Sequence, residues 1–177
     1  LLVVIAIIAV LMSILMPALQ RVKKQANAVA CLSLLKQWGN FFLMYTNDYN
    51  DKFMQGFSGT ASGDNRWCKA MGDYYRWNSD LTCCPTATKP WFTEDGRDNG
   101  FQGTFLGSTT AWGYYQQSGW AVPLKGSYGI NGWCNNPDPG FGHGGKPGEY
   151  HWRSPNVKRA GYVPLFMAAQ RYNVWPE

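Results

Sequence analysis

The first nineteen residues of the chain form an almost unbroken apolar run. Between Leu1 and Leu19 only Ser13 is polar, and only Pro17 disfavours a helix. Because an α-helix rises about 1.5 Å per residue, the run is about long enough to cross the ~30 Å hydrocarbon core of a bilayer. The pattern therefore predicts a hydrophobic, transmembrane helix over 1–19. Proline has no backbone N–H to donate within a helix. We therefore expect a weak point at Pro17, where the carbonyl of Ser13 loses its hydrogen-bond donor.

The helical pattern continues beyond residue 19 in amphipathic form. Apolar residues recur three or four positions apart, which places them on one face of a helix. The pattern predicts an amphipathic stem over 20–49, ending near Asn47–Asn50, where Asn and Asp replace apolar residues. The residues of this predicted stripe are Ala28, Cys31, Leu35, Trp38, Phe42, Tyr45 and Tyr49.

Residues 50–177 are expected to form a single globular head, a comfortable size for one hydrophobic core. Short apolar or aromatic runs bounded by Gly, Asn or Pro predict strands, and the segment 162–175 reads as a hairpin. The segment Arg66–Leu81 fits either a short helix or a strand pair. A small antiparallel sheet with long loops, packed on the stem, gives an α+β fold. The predicted strands are Ala111–Tyr115, Ser127–Trp133 and Val163–Ala168.

The net charge of +5 is placed unevenly along the chain. Residues 1–47 contain four basic residues and no acidic one, so the remainder is nearly neutral and nucleic-acid binding is not expected. By the positive-inside rule, the basic cluster after the apolar run would place the head in the cytoplasm. Five cysteines in an aromatic-rich head instead suit an oxidising compartment, and we favour that interpretation. The four basic residues are Arg21, Lys23, Lys24 and Lys36.

Candidate catalytic and metal-binding residues are sparse. His143 and His151 are the only histidines, and neither lies near a nucleophile motif, so the sequence predicts that the protein is not an enzyme. No zinc site is expected, and cofactors are expected to be absent. The one weak calcium candidate is a Gly-containing turn, for which a solvated loop is the favoured interpretation. Its oxygen donors are Glu94, Asp95, Asp98 and Asn99.

Aromatic residues make up 16% of the chain and include nine tryptophans. Rings of this kind build cores and subunit interfaces. An alternative is a sugar-binding face formed by Trp91, Trp112 or Trp120 in predicted loops.

The segment LLVVIAIIA over Leu1–Ala9 resembles the N-terminal helix of type IV pilins and type II secretion pseudopilins. Mature members of that family typically open with Phe-Thr-Leu-Ile-Glu, followed by these nine residues. The resemblance implies that an acidic residue precedes Leu1 and pairs with the amino terminus of a neighbouring subunit. It extends over CLSLLKQWGNFFLMYTNDYNDKF at the stem end, and SYGINGW and VPLF resemble parts of large, aromatic-rich family heads.

The resemblance implies a structural subunit of a type IV pilus-like or pseudopilus filament, which polymerises through its N-terminal helix. Its partners would be copies of itself, the lipid bilayer of the inner membrane before assembly, and the inner-membrane assembly machinery. The assembled filament would lie at the cell surface. Alternatives are a minor or tip pseudopilin, a membrane-tethered sugar-binding module, an ordinary membrane anchor, or a retained signal peptide. The residues expected to line the filament core are Leu1, Ala6, Ala9, Ser13 and Pro17.

Five cysteines allow two disulfides and leave one thiol over. The resemblance implies a bridge between Cys31 and Cys84, because similar family members carry a helix cysteine and a Cys-Pro pair. A second bridge is expected among Cys68, Cys83 and Cys134, whereas a bridge between the adjacent residues 83 and 84 is disfavoured by strain. The alternative is that all five thiols are reduced and buried.

Overall fold

A computed structural model describes residues 2–56, 67–87, 89–90, 110–115, 124–138, 140, 147–169 and 173–174. Helix α1 runs without interruption over Leu2–Asp48 and passes through Pro17. Its 47 residues span about 70 Å. The predicted helix and its end near Asn47–Asn50 are confirmed. The predicted weak point at Pro17 concerns the assembled filament and stays a prediction.

Helix α1 ends in a left-handed turn. Asn50 and Asp51 both have positive φ, at 55° and 56°, which short polar side chains tolerate better than most others. The Asp51 N–H donates to the Thr46 carbonyl at 2.8 Å, which satisfies one of the carbonyls that a helix end leaves without a partner. This turn reverses the chain and directs residues 52–56 back into the head.

One face of α1 is buried under the head, and it matches the predicted stripe from residue 31 onwards. Two predicted members lie outside the buried face: Ala28 is exposed, and Tyr49 is 52% exposed although its ring stacks on Tyr45 at 4.3 Å. The fully buried residues are Trp38, Phe42, Tyr45 and Thr46, with Cys31, Leu34, Leu35 and Phe41 half-buried beside them.

The segment that the sequence left undecided is helical over residues 67–75 and continues as turns to Leu81. It forms two single-turn helices, α2 over Trp67–Ala70 and α3 over Gly72–Tyr75. Two 3-10 turns follow later in the chain, at Gly148–Tyr150 and Ala160–Tyr162.

Among its described residues the head also contains two small three-stranded sheets, so the α+β fold is confirmed. In the first sheet, β2 is central, antiparallel to β3 and parallel to β1. In the second sheet, β4 is central, antiparallel to β5 and parallel to β6. The parallel edge strands were not predicted. The strands are β1 Lys89–Pro90, β2 Thr110–Tyr115, β3 Leu124–Gly126, β4 Tyr128–Asn131, β5 Phe166–Ala168 and β6 Asn173–Val174.

The prediction of a hairpin over 162–175 was wrong. Strands β5 and β6 lie on opposite edges of β4 and do not pair with each other. The reason is that β4 is buried along its whole length, with Tyr128 and Ile130 at 0% exposure. A buried strand needs hydrogen-bond partners on both edges, and the two strands supply one edge each.

The core is built around the indole of Trp38. Its ring lies edge-on to Trp67 at 4.8 Å and close to Tyr75 at 5.0 Å and Phe166 at 5.7 Å. Ring pairs at these distances and tilts contribute beyond their buried area. The stem, both short helices and β5 therefore meet at one residue of α1.

Candidate functional site

The N-terminal apolar segment, Leu2–Leu19, is exposed along its entire length. Each of its large apolar side chains is more than half exposed, from Ile8 at 51% to Leu2 at 85%. A soluble surface rarely leaves an apolar patch larger than a few hundred Å² uncovered. The segment therefore requires a lipid or protein environment that the described part of the chain does not provide.

The segment measures about 27 Å along the helix axis, close to the hydrocarbon thickness of a bilayer. Within the described residues, α1 is the one helix long and apolar enough to cross a membrane. A single helix of this kind near the N-terminus serves as either a membrane anchor or a signal sequence.

Four of the residues expected to line the filament core lie on one side of this segment, and three of them, Ala6, Ala9 and Ser13, form a strip of small residues. At 100° per residue, Ala6, Ala9, Ser13 and Pro17 point within about 80° of one another. The Ser13 hydroxyl donates to the Val10 carbonyl at 2.7 Å, so it can face an apolar environment without an unmet donor. Leu1, the fifth predicted core residue, lies outside the described residues.

A second apolar surface continues along α1 beyond the reach of a bilayer. Val22, Val29, Leu32 and Leu43, which we call the outer stem stripe, are 60%, 66%, 66% and 56% exposed. They lie on the side of the helix opposite Trp38. Spacings of seven, three and eleven residues place these four residues on one face of the helix. They were missed from the sequence alone because the aromatic pattern on the opposite face is stronger.

The charged residues of α1 are separated along its axis. Arg21, Lys23, Lys24 and Lys36 are all exposed, and none forms an ion pair with a described residue. The first acidic residue along the chain is Asp48, at the last turn of the helix. The stem is therefore basic over most of its length and acidic at its junction with the head.

The head is fixed to α1 by covalent and polar contacts as well as by the core. A disulfide joins Cys31 to Cys84, the pair that the family resemblance implied. The Trp38 indole N–H donates to the Leu81 carbonyl at 2.7 Å, and the Tyr74 hydroxyl donates to Asp48 at 2.7 Å. These contacts span residues 31–48, so the head is held along the C-terminal part of the helix and leaves its N-terminal half uncovered.

The expected second disulfide is absent, because Cys68, Cys83 and Cys134 carry no bridge. The three thiols lie in different environments: Cys68 and Cys134 are buried in the core, and Cys83 is half-buried. Cys83 directly precedes the bridged Cys84. Burial raises the pKa of the Cys134 thiol to about 12, so it stays protonated and unreactive at neutral pH.

Two tyrosines packed between stem and head are also kept neutral. Burial raises the pKa of Tyr45 to about 12, with the neighbouring Tyr49 adding to the effect. Burial, followed by the electrostatic effect of the nearby Cys83, raises the pKa of Tyr128 to about 12. The Tyr128 hydroxyl lies 3.5 Å from the Cys31 carbonyl, which places it beside the disulfide.

The described residues contain few of the residues predicted for metal binding or catalysis. Among the described residues, no three His, Cys, Asp or Glu side chains are grouped to hold a metal ion. The calcium candidate Glu94, Asp95, Asp98 and Asn99 lies outside those residues, as does His143. His151 is buried with its ring against Trp133 at 5.3 Å. The prediction that the protein is not an enzyme stays a prediction.

One of the three tryptophans proposed for a sugar-binding face is buried. Trp112 is 5% exposed, and its indole N–H donates to the Tyr128 carbonyl at 2.9 Å, so its ring belongs to the core. A buried ring cannot stack on a sugar. Trp91 and Trp120 lie outside the described residues.

Comparisons of the chain with protein-family models, curated protein sequences and solved structures find no match.

Proposed function

We propose that this protein is a structural subunit that polymerises through α1 into a filament of the type IV pilus or pseudopilus kind. Before assembly, Leu2–Leu19 would hold the subunit in the inner membrane. After extraction, the same residues would pack against equivalent helices of neighbouring subunits at the filament core. The filament would lie at the cell surface, and its assembly would require membrane-bound machinery.

The observation that carries the proposal is the outer stem stripe. A helix that only anchored a soluble head would need apolar residues over the membrane thickness and polar ones beyond it. Here Val29, Leu32 and Leu43 remain more than half exposed on a part of α1 that a bilayer spanning Leu2–Leu19 does not reach. Leu43 lies about 36 Å beyond Leu19 along the helix. A second protein surface is the environment that covers both segments.

The asymmetry of the subunit also supports a polymer. The head occupies one end of α1 and one face of its C-terminal half, and the uncovered apolar surface occupies the rest. An interface between unlike surfaces that repeats without closing produces a helical fibre. The chain then needs no second type of subunit to extend the fibre.

The proposal is tested by electron microscopy of sheared cell-surface material, with mass spectrometry of its main band. We expect fibres in which this chain is the dominant protein. A chain present only in trace amounts would indicate a tip or minor pseudopilin. A chain that stays in the membrane fraction with no fibres would indicate a plain anchor and would overturn the proposal.

A pair of variants at one position tests the observation itself. Leu32→Gln makes the outer stem stripe polar, whereas the matched control Leu32→Met keeps it apolar at similar volume. Leu32 is exposed and outside the apolar segment, so both variants should fold and enter the membrane equally. We expect fewer fibres from Leu32→Gln alone. Equal fibre yields from the two variants would show that the outer stem stripe takes no part in assembly.

A further inference from the structure

We infer that neighbouring copies of this chain pack their α1 helices in parallel with an axial offset of about 26 residues, or ~39 Å. The basic cluster of one copy, Arg21, Lys23 and Lys24, then faces the acidic stem end of the next copy, Asp48 and Asp51. The inference rests on the proposed function and specifies the register of that assembly.

The basic charges of α1 have no acidic partner among the described residues. Residues 2–47 carry four basic side chains and no acidic one, and the four form no ion pair with a described residue. Copies packed side by side without an offset would bring the three clustered cations of each copy next to those of its neighbours. Like charges placed together across an interface are strongly unfavourable. An offset that brings acidic residues to this level removes the repulsion.

Asp48 and Asp51 are suited to this role. Both are exposed, and they are the first two acidic residues after the basic cluster. Asp48 accepts one hydrogen bond from Tyr74, but an ionised carboxylate has about four acceptor sites in total. An offset of 26 residues places position 22 of one helix beside position 48 of its neighbour. Asp51 lies near the same level as Asp48, because its N–H donates to the Thr46 carbonyl in the turn that ends the helix.

The apolar surfaces give the same offset independently. With a shift of 26 residues, positions 3, 6 and 17 of one copy lie at the level of Val29, Leu32 and Leu43 of the next. The N-terminal apolar segment of one copy therefore lies at the level of three of the four residues of its neighbour's outer stem stripe. One offset therefore brings both exposed apolar regions of α1 to a common level and the opposite charges to another.

The parallel orientation follows from the form of the assembly. Copies related by a screw operation, as in an open helical fibre, all point the same way. An antiparallel pair related by a two-fold axis would close on itself and would place the heads at opposite ends.

The first test is zero-length carbodiimide cross-linking of assembled wild-type fibres, followed by peptide mass spectrometry. Lys24 and Asp48 are about 36 Å apart within one continuous helix, so a direct amide between them must join two copies. We expect cross-links from Lys23 or Lys24 to Asp48 or Asp51. Fibres in which these lysines link only to other acidic residues would overturn the offset.

The second test is a charge exchange. Lys24→Glu should lower fibre yield about tenfold through like-charge contact, and adding Asp51→Lys should restore it to within about twofold of the wild type. Lys36→Glu is the matched control, since it makes the same change on the same helix outside both clusters. Asp51→Lys should not improve that control. A non-reducing gel showing the Cys31–Cys84 bridge in membrane-held subunits verifies that each variant folds.

The outcomes separate this inference from the proposed function. Fibres that form normally, without the expected cross-links and without specific rescue, would overturn the offset and leave the filament proposal intact. A wild-type chain that forms no fibres would overturn the filament proposal and the offset with it.

Discussion

Removing the disulfide between Cys31 and Cys84 should lower the stability of the head on its stem by a calculable amount. The bridge closes a loop with a sequence separation of 53 residues. In the chain-entropy model, a loop of this length restricts the unfolded chain enough to contribute about 4 kcal/mol at 25 °C. The double variant Cys31→Ala/Cys84→Ala removes that restriction without adding a polar group to a half-buried site.

The assay is urea unfolding of the full chain in detergent micelles, followed by tryptophan fluorescence, because Trp38 lies at the centre of the core. With a denaturant dependence of about 2 kcal/mol per molar urea, the double variant should unfold at a midpoint about 2 M lower than the wild type. Cys83→Ala is the matched control, since it removes the adjacent half-buried thiol and no bridge. We expect its midpoint to stay close to that of the wild type.

Two results would refute this reasoning. If the double variant unfolded at the wild-type midpoint, the bridge would contribute nothing beyond the core contacts of Trp38 and Phe42. If Cys83→Ala shifted the midpoint as far as the double variant, the loss would come from local packing around residues 83–84 and not from the closed loop.

Three further predictions address packing, assembly and pH. Gly126→Ala should destabilise the protein by about 1–3 kcal/mol in urea unfolding, because the added Cβ would lie 2.2 Å from the Trp112 ring. Gly161→Ala is the control: its added Cβ would have no heavy atom within 4 Å, so stability should change little. Ala9→Leu should leave membrane retention of the monomer unchanged but reduce the yield of sheared fibres, since it fills the strip of small residues; an unchanged yield would exclude that strip from the interface. The raised pKa of Tyr128 means that the folded state holds this proton more tightly than the unfolded state, so the tyrosine contributes stability that is fully present below about pH 10 and lost as the pH rises towards 12. Urea unfolding across that range should show the decline, and a flat profile would contradict it.

The sequence predicted the long helix well because one strong periodic signal determines it. Spacings of three and four among residues such as Trp38, Phe42 and Tyr45 are unambiguous, and the polar run from Asn47 marks the end. Their burial could be predicted as well, because it follows once the head packs on this face of the helix. The pairing of Cys31 with Cys84 came from the family resemblance and not from spacing, because five cysteines permit many connectivities.

The head was less predictable because its segments are short and its partners are distant in sequence. The two strands near the C-terminus look like a hairpin when taken alone, and only the fully buried β4 between them separates them. The single-turn helices at residues 67–75 are too short to show a helical period. The second disulfide was expected from cysteine count, whereas the core accommodates Cys68 and Cys134 as buried thiols.

The position of the disulfide determines how the chain carries mechanical load. A pulling force applied through the N-terminal half of α1 reaches Cys31 and can cross directly to Cys84, which bypasses the intervening chain. The bypassed segment has a sequence separation of 53 residues, which would otherwise extend by up to about 180 Å if drawn out. It includes most of the stem's aromatic contacts with the head. The bridge therefore keeps residues 31 and 84 together. Tension along the helix cannot lengthen this part of the chain, even after its non-covalent contacts have broken.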